Sequence, residues 1–230
     1  MTDGYVVDFP GVTTLPVVGS DRRFPVGRIF CVGRNYSEHI REMGGDPNRE
    51  TPFFFMKPAD AIVPPGGVSP YPPATSDMHH EVELVLAIGR EGLNVSVADA
   101  ESYVYGVGIG IDLTRRDLQT ALRNIGRPWE GGKAFDYSAP CSAIKPLNGA
   151  ALLETGSIEL SVNGQKRQNS DLANMTWSPT EVIAELTKLF RIRPGDLIYT
   201  GTPEGVGPVV KGDHLTGSIA NVGTIDVRIT

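Results

Sequence analysis

Apolar residues in this chain alternate more often than they follow a helical period, which predicts short strands separated by glycine- and proline-rich turns. RIFCVG reads as a buried strand, and FFFMKP and ADAIVPP are strand-like. A proline-rich loop then delivers the chain to residues 79–89. There Val82, Leu84, Leu86 and Ile88 fall on one face and Val85 and Ala87 on the other, so the strand is apolar on both sides beyond its acidic start. GVGIGID is a second strand, glycine-rich as happens where another backbone comes close, and it ends in Asp112. SIELSVNGQKR alternates around Asn163-Gly164, a strong hairpin signal. DLIYTGTPEGVG opens a strand into a glycine-rich loop, and GSIANVGTIDVRI closes the chain as a strand pair.

Helical signals are fewer. SPTEVIAELTKLF has Ser178 as cap, Pro179 in the first turn, Glu181 in the capping-box position, and a stripe of Val182, Ile183, Leu186, Leu189 and Phe190. In NYSEHIREMGG, Asn35 is expected to cap a short helix with Glu38 as its partner, and Gly44-Gly45 to stop it. His39 and Glu42 then share a face. A helix is also expected directly after Asp112, with Thr114 and Asp117 as its capping box and Arg116 and Gln119 on one side. Strands outnumber helices too heavily for a regular alternating wrap, so the pattern predicts mixed α and β. Residues 1–25, rich in turn formers, are expected to be an arm on the surface, and residues 26–230 a single domain.

Composition narrows the partners. The 230 residues are 40% hydrophobic and carry a net charge of -6 without any lysine-arginine cluster, which argues against nucleic acid or an anionic membrane as a partner. No run approaches the length of a membrane span. The two cysteines, Cys31 and Cys141, are too few for a disulfide scaffold and read as buried free thiols in a reducing cytoplasm.

The chemistry begins with a charge problem. On a strand Glu81 and Glu83 point the same way, and at about 6 Å with an effective dielectric of about 20 they repel by about 2 to 3 kcal/mol. A solvated edge or a bound cation would each relieve that. Asp112 can converge on the pair, and three hard oxygen ligands suit Mg²⁺, Mn²⁺ or Ca²⁺, whereas zinc would want His or Cys. His79 and His80 are read as packing or hydrogen-bonding residues rather than ligands. Three carboxylates around a divalent ion remain net negative, so an anionic substrate needs a cation nearby. Lys133 in GGKAFD is the candidate, set against the alternative of a solvated turn lysine. TGTPEGVG lacks the Gly-Lys-Ser/Thr ending of a phosphate loop. Among Phe53, Phe54 and Phe55, at least two are expected in the core.

The motifs GRNYSEH, FMKP, HHEVEL, GIDLTRRDLQ, GRPWEGGKAFD and TGTPEGVG, in this order, resemble the fumarylacetoacetate hydrolase family over roughly residues 26–230. TPFFFMKPADAIV and GRPWEGGKAFD are most similar to its fumarylpyruvate hydrolase branch, a neighbour of the acylpyruvate hydrolases. The resemblance implies an α+β fold, a mixed β-roll or distorted β-barrel of the family's C-terminal-domain type, in a homodimer. It implies that Glu81, Glu83 and Asp112 bind Mg²⁺ or Mn²⁺, that Lys133 acts beside the metal, and that Arg116 and Gln119 hold the substrate. Thr202 is implied to bind the substrate carboxylate, and His39 with Glu42 to activate water from a lid helix. The implied reaction is hydrolysis of a carbon–carbon bond in a small 2,4-diketo acid, foremost fumarylpyruvate to fumarate and pyruvate. Oxaloacetate decarboxylation and hydroxydienedioate isomerisation are alternatives on the same metal site that need no attacking water. A non-catalytic protein holding structural Ca²⁺ is the alternative from another class.

Overall fold

The structure is a computed structural model that describes residues 6–8, 10–42 and 50–230. The expected helix stop at Gly44-Gly45 lies outside those residues.

Strand Val82–Ile88 is central. It pairs antiparallel with Val104–Ile111 on one side and with Leu197–Tyr199 on the other. Leu197–Tyr199 runs parallel to Ile29–Gly33, which pairs antiparallel with Phe53–Lys57. With Lys145–Pro146 on the far edge these make a six-stranded sheet among the described residues. Side-chain alternation sends Val82, Leu84, Leu86 and Ile88 into one core with Phe30, Ile109 and Ile198. Val85 and Ala87 enter a second core with Cys31, Leu197 and Tyr199. The strand is apolar on both faces because the sheet divides two hydrophobic clusters.

A five-stranded sheet, built on Ser157–Val162, Gln165–Asp171, His214–Ile219 and Gly223–Ile229, supplies the other side of the first core. Its hairpin turns at Asn163 and Gly164, both left-handed with φ of 52° and 77°, the geometry that the Asn-Gly pair favours. A three-stranded ribbon sets Met78–His80 between Thr114–Arg115 and Gly207–Val209. That ribbon brings the acidic strand, the segment after Asp112 and the end of the TGTPEGVG loop side by side. With mixed sheets and few helices, the fold is α+β, a distorted roll rather than a closed barrel. Within the first 25 residues, Thr14–Val17 and Ser20–Pro25 form a hairpin that buries Leu15, Val17 and Phe24. No helix among the described residues is long and apolar enough to cross a membrane.

Helix Pro179–Leu189 carries the predicted capping box between Ser178 and Glu181. Its buried stripe ends earlier than the pattern suggests. Val182, Ile183 and Leu186 are buried, but Leu189 is 65% exposed and Phe190 sits at the edge, 5.3 Å from the Phe30 ring. Two cap assignments are corrected. The helix around His39 spans Ser37–Glu42, and Asn35 is not its cap: its amide donates to the carbonyls of Trp177 (2.9 Å) and Thr200 (2.8 Å) and accepts from Trp177 N (2.8 Å). The helix after Asp112 spans Arg116–Asn124 without a side-chain cap. Thr114 instead donates to Asp112 O and accepts from Lys133, and Asp117 accepts from Thr75 and Ser76. A tertiary partner outbid the local cap at both places.

At Gly110 an added Cβ would lie 2.2 Å from the Tyr199 ring. Gly110→Ala is therefore expected to cost about 1 to 3 kcal/mol through overpacking. Urea denaturation reads this directly, and an unshifted midpoint would contradict the packing described.

Candidate active site

Three strand ends deliver the acids. Glu81 occupies the joint between Met78–His80 and Val82–Ile88, Glu83 follows one strand repeat later, and Asp112 comes directly after Val104–Ile111. Asp112 N donates to Glu81 O at 2.8 Å, so the two backbones are fastened where the side chains converge. One carboxylate oxygen from each residue lies within 4.8 Å of the others, and all three residues are at most 4% exposed. This is not a solvated edge.

Charge is balanced by side chains from three other elements. Lys133 Nζ lies 2.7 Å from Glu81 Oε2, from Asp112 Oδ2 and from Thr114 Oγ1. Arg116 pairs with Glu81 Oε1 and donates to Gln119 Oε1 at 2.6 Å. Lys57 Nζ is 2.8 Å from Asp112 Oδ1, at ion-pair distance but outside hydrogen-bond geometry, and it donates to the carbonyls of Leu113 (3.1 Å) and Lys133. Burial opposes the charged form of Glu81, but the Lys133 and Arg116 charges outweigh it and hold that carboxyl well below the usual range. Lys133 likewise stays charged: burial works against it, and Asp112 and Glu81 more than compensate, raising its pKa.

Glu83 is the exception. Its carboxylate accepts from Gly201 N at 2.7 Å but has no cation at ion-pair distance among the described residues. Burial, followed by the charges of Asp112 and Glu81, pushes its pKa well above that of an ordinary glutamate. A divalent ion would supply the missing charge, and hard carboxylate oxygens are the donors it prefers, so the residues present fit Mg²⁺ or Mn²⁺.

His39 is buried, and its Nδ1 lies 3.3 Å from Glu42 Oε2. Glu42 is tied to the glycine-rich loop by Gly205 N, at 3.1 and 3.2 Å from its two oxygens. Burial would raise the Glu42 pKa, but the hydrogen bonds from His39 and Gly205 prevail and lower it. Thr202 Oγ1 donates to Val82 O at 2.8 Å and accepts from Gln168 Nε2 at 2.8 Å. Gln168 Oε1 also accepts from Val82 N (3.0 Å) and meets His80 Nδ1 at 3.1 Å. His79 lies 2.9 Å from Asp77, and neither histidine joins the carboxylate group. Two glycines allow the close approaches the site needs. A Cβ at Gly201, where φ is +95°, would meet Asn35 at 2.6 Å, and one at Gly132 would meet the Gln119 backbone at 2.8 Å.

One cavity of about 40 Å³ gathers these groups. Every sequence-predicted site residue except Glu42 lines it, and Glu42 touches His39, which does. Of the three phenylalanines only Phe55 reaches it, beside Trp129, and Arg34 and Arg123 complete its wall. Lys57 and Gln168 are residues that motif reading did not single out. A lysine ending the apolar run FFFM was the available signal for the first, since a lysine there must find a partner when buried. Gln168 follows a polar hairpin turn and carried no signal.

Residues 28–230 match the family model described as fumarylacetoacetate (FAA) hydrolase C-terminal. The chain belongs to the fumarylacetoacetate hydrolase family. Within that family it is 45% identical to a fumarylpyruvate hydrolase of a Ralstonia species, over 80% of this chain and 95% of the relative. It is 39% identical to an oxaloacetate tautomerase of Escherichia coli, over 84% and 88%. Its fold matches the crystal structure of the Pseudomonas aeruginosa fumarylpyruvate hydrolase, solved in complex with Mn²⁺ and pyruvate, with a TM-score of 0.95. That match covers 98% of this chain and 99% of the other at 46% identity.

If Glu83 is one of the oxygen donors to the ion, metal binding is expected to depend on pH. Its raised pKa leaves a proton on the ion-free site at pH values where an ordinary glutamate has lost it. A divalent ion must displace that proton, so affinity is expected to rise with pH, by up to about tenfold per unit while Glu83 is protonated. Calorimetric titration with Mn²⁺ in buffers of different ionisation enthalpy should show about one proton released. No release would contradict the assignment.

Proposed function

We propose that this chain is a divalent-metal-dependent acylpyruvate hydrolase that splits fumarylpyruvate into fumarate and pyruvate. The observation that carries the reading is one cavity in which three buried carboxylates, a buried lysine and His39, backed by Glu42, meet. Its likeness to two fumarylpyruvate hydrolases, at 45% and 46% identity, supports the same conclusion.

Glu81, Glu83 and Asp112 are the residues that would hold Mg²⁺ or Mn²⁺. When bound, the ion supplies Lewis acidity at the keto-acid end of the substrate. Arg116, Gln119 and Thr202 line the same cavity and orient that end, Thr202 taking its carboxylate by turning its hydroxyl from Val82 O. Glu42, kept ionised, holds a proton on His39 Nδ1 and leaves Nε2 free to accept one from water. That water adds to the distal carbonyl, the adjacent carbon–carbon bond breaks, and the enolate of pyruvate leaves. The Lys133 ammonium faces the charge developing on that enolate, and protonation of the enolate carbon completes pyruvate.

The same reading takes residues 26–230 as one catalytic domain, with residues 1–25 as an arm, working as a homodimer in a reducing cytoplasm. Cys31 and Cys141 are buried free thiols, and burial pushes Cys141 up to about 12, so it stays protonated and inert.

Tautomerisation of oxaloacetate is the second reading, favoured by the Escherichia coli relative. It needs a proton moved between carbon and oxygen and no attacking water. The decisive experiment incubates the Mn²⁺-loaded protein with fumarylpyruvate, acetylpyruvate or oxaloacetate and follows pyruvate, and with oxaloacetate also the loss of its enol absorbance. Hydrolysis of the two diketo acids is expected, and enol–keto conversion of oxaloacetate, or pyruvate from it, with no pyruvate from either diketo acid would overturn the hydrolase. His39→Ala is expected to slow pyruvate release from fumarylpyruvate by about 10² to 10⁴. Full pyruvate release in that variant, with activity lost in Glu83→Ala, would contradict the role given to His39 in activating water.

A further inference from the structure

Fumarylpyruvate carries a carboxylate at each end, and the roles above place only one. We propose that Arg123 and Arg34 form a second carboxylate subsite for the acyl end, selecting acylpyruvates with two carboxylates over those with an uncharged acyl group. This rests on the acylpyruvate reading of the site.

The first argument is a ruler built into the helix. Arg116, Gln119 and Arg123 stand at i, i+3 and i+7 of the Arg116–Asn124 helix, hence on one face, and all three line the cavity. Arg116 and Gln119 are buried and Arg123 is half-buried, so the row runs from the sealed end of the cavity outward. Seven residues rise about 10.5 Å. The two carboxylate carbons of fumarylpyruvate are separated by six carbon–carbon bonds, about 7.5 Å when extended. A substrate with its keto-acid end at Arg116 therefore brings its other carboxylate within reach of a long side chain at position 123.

The second argument is charge. Lys57, Lys133 and Arg116 are all engaged with the acids of the site. Neither the Arg123 nor the Arg34 side chain makes a hydrogen bond or ion pair among the described residues, so the cavity wall carries two uncommitted guanidiniums. A planar guanidinium is the side chain best shaped to grip a carboxylate.

The third is placement. Arg34 adopts φ of 59°, a left-handed backbone that a long side chain rarely takes. Its neighbour Asn35 is clamped between Trp177 and Thr200, which holds that turn in place beside the cavity. Between the inner acids and the open side stand Phe55 and Trp129, their rings 6.2 Å apart, an apolar wall suited to a flat unsaturated acyl chain. Arg34, Phe55 and Trp129 also border an outer groove of about 540 Å³, which gives the acyl end room beyond the small inner cavity.

The test compares fumarylpyruvate with acetylpyruvate, whose acyl group is uncharged, in the Mn²⁺-loaded wild type, Arg123→Gln, Arg34→Gln and the double variant. The expected result is a loss of kcat/KM on fumarylpyruvate exceeding that on acetylpyruvate by at least tenfold in the double variant, carried mainly by KM. Parallel losses on both substrates, or no loss on either, would overturn the subsite while leaving the hydrolase intact. If the wild type cleaves neither compound, the hydrolase reading fails and the same comparison is made as binding, from the thermal shift each compound gives with Mn²⁺. A larger shift with fumarylpyruvate that disappears in the double variant upholds the subsite, and equal shifts overturn it.

Discussion

Three carboxylates gathered within 4.8 Å, almost fully buried, are the constraint around which the rest of this molecule is arranged. If all three were ionised and unpaired, each pair would repel by about 3 to 4 kcal/mol at an effective dielectric of about 20. Three such pairs cost about 10 kcal/mol, which is as large as the net stability of a typical domain. The protein meets this with three cations from three places: Lys57 from an edge strand, Lys133 from a tight helical turn and Arg116 from the first turn of a helix. The site therefore assembles only when those elements are all in position. Glu83, left without a cation, is where an added divalent charge relieves the most.

The fold serves that arrangement by dividing labour between the faces of one sheet. Both faces of Val82–Ile88 are buried in separate cores, which fixes the register of the strand, because a slip of one residue would turn Glu81 and Glu83 into apolar surroundings. At the strand's acidic start, Gln168 ties Val82 to Thr202, so the carboxylates and the glycine-rich loop keep their spacing. Glu42 fastens the His39 helix to the same loop through Gly205. The carboxylates of the site thus lie on strands, and the His39–Glu42 pair lies on a short helix held at its end.

Much of this was legible in the residues. Alternation gave the central strands and their two-sided burial, Asn163-Gly164 gave the hairpin, and Ser178 with Glu181 gave one helix start. The convergence of Glu81, Glu83 and Asp112 could be argued from strand geometry alone, although a wet edge remained an equal reading until burial was known. The caps at Asn35 and Thr114 misled because a short polar side chain satisfies a helix end or a distant backbone equally well, and tertiary contacts decide between them. Lys57 was hidden for a related reason. Its place in the site depends on which strand lies beside Ile29–Gly33, a long-range pairing that no local pattern encodes.

A crystal grown with Mn²⁺ and read by anomalous scattering would reveal whether the three buried carboxylates hold the ion. A single strong peak is expected, bonded to oxygens of Glu81, Glu83 and Asp112, beside the Lys133 ammonium. A peak elsewhere, or an ion contacting those residues only through the histidines at 79 and 80, would contradict it.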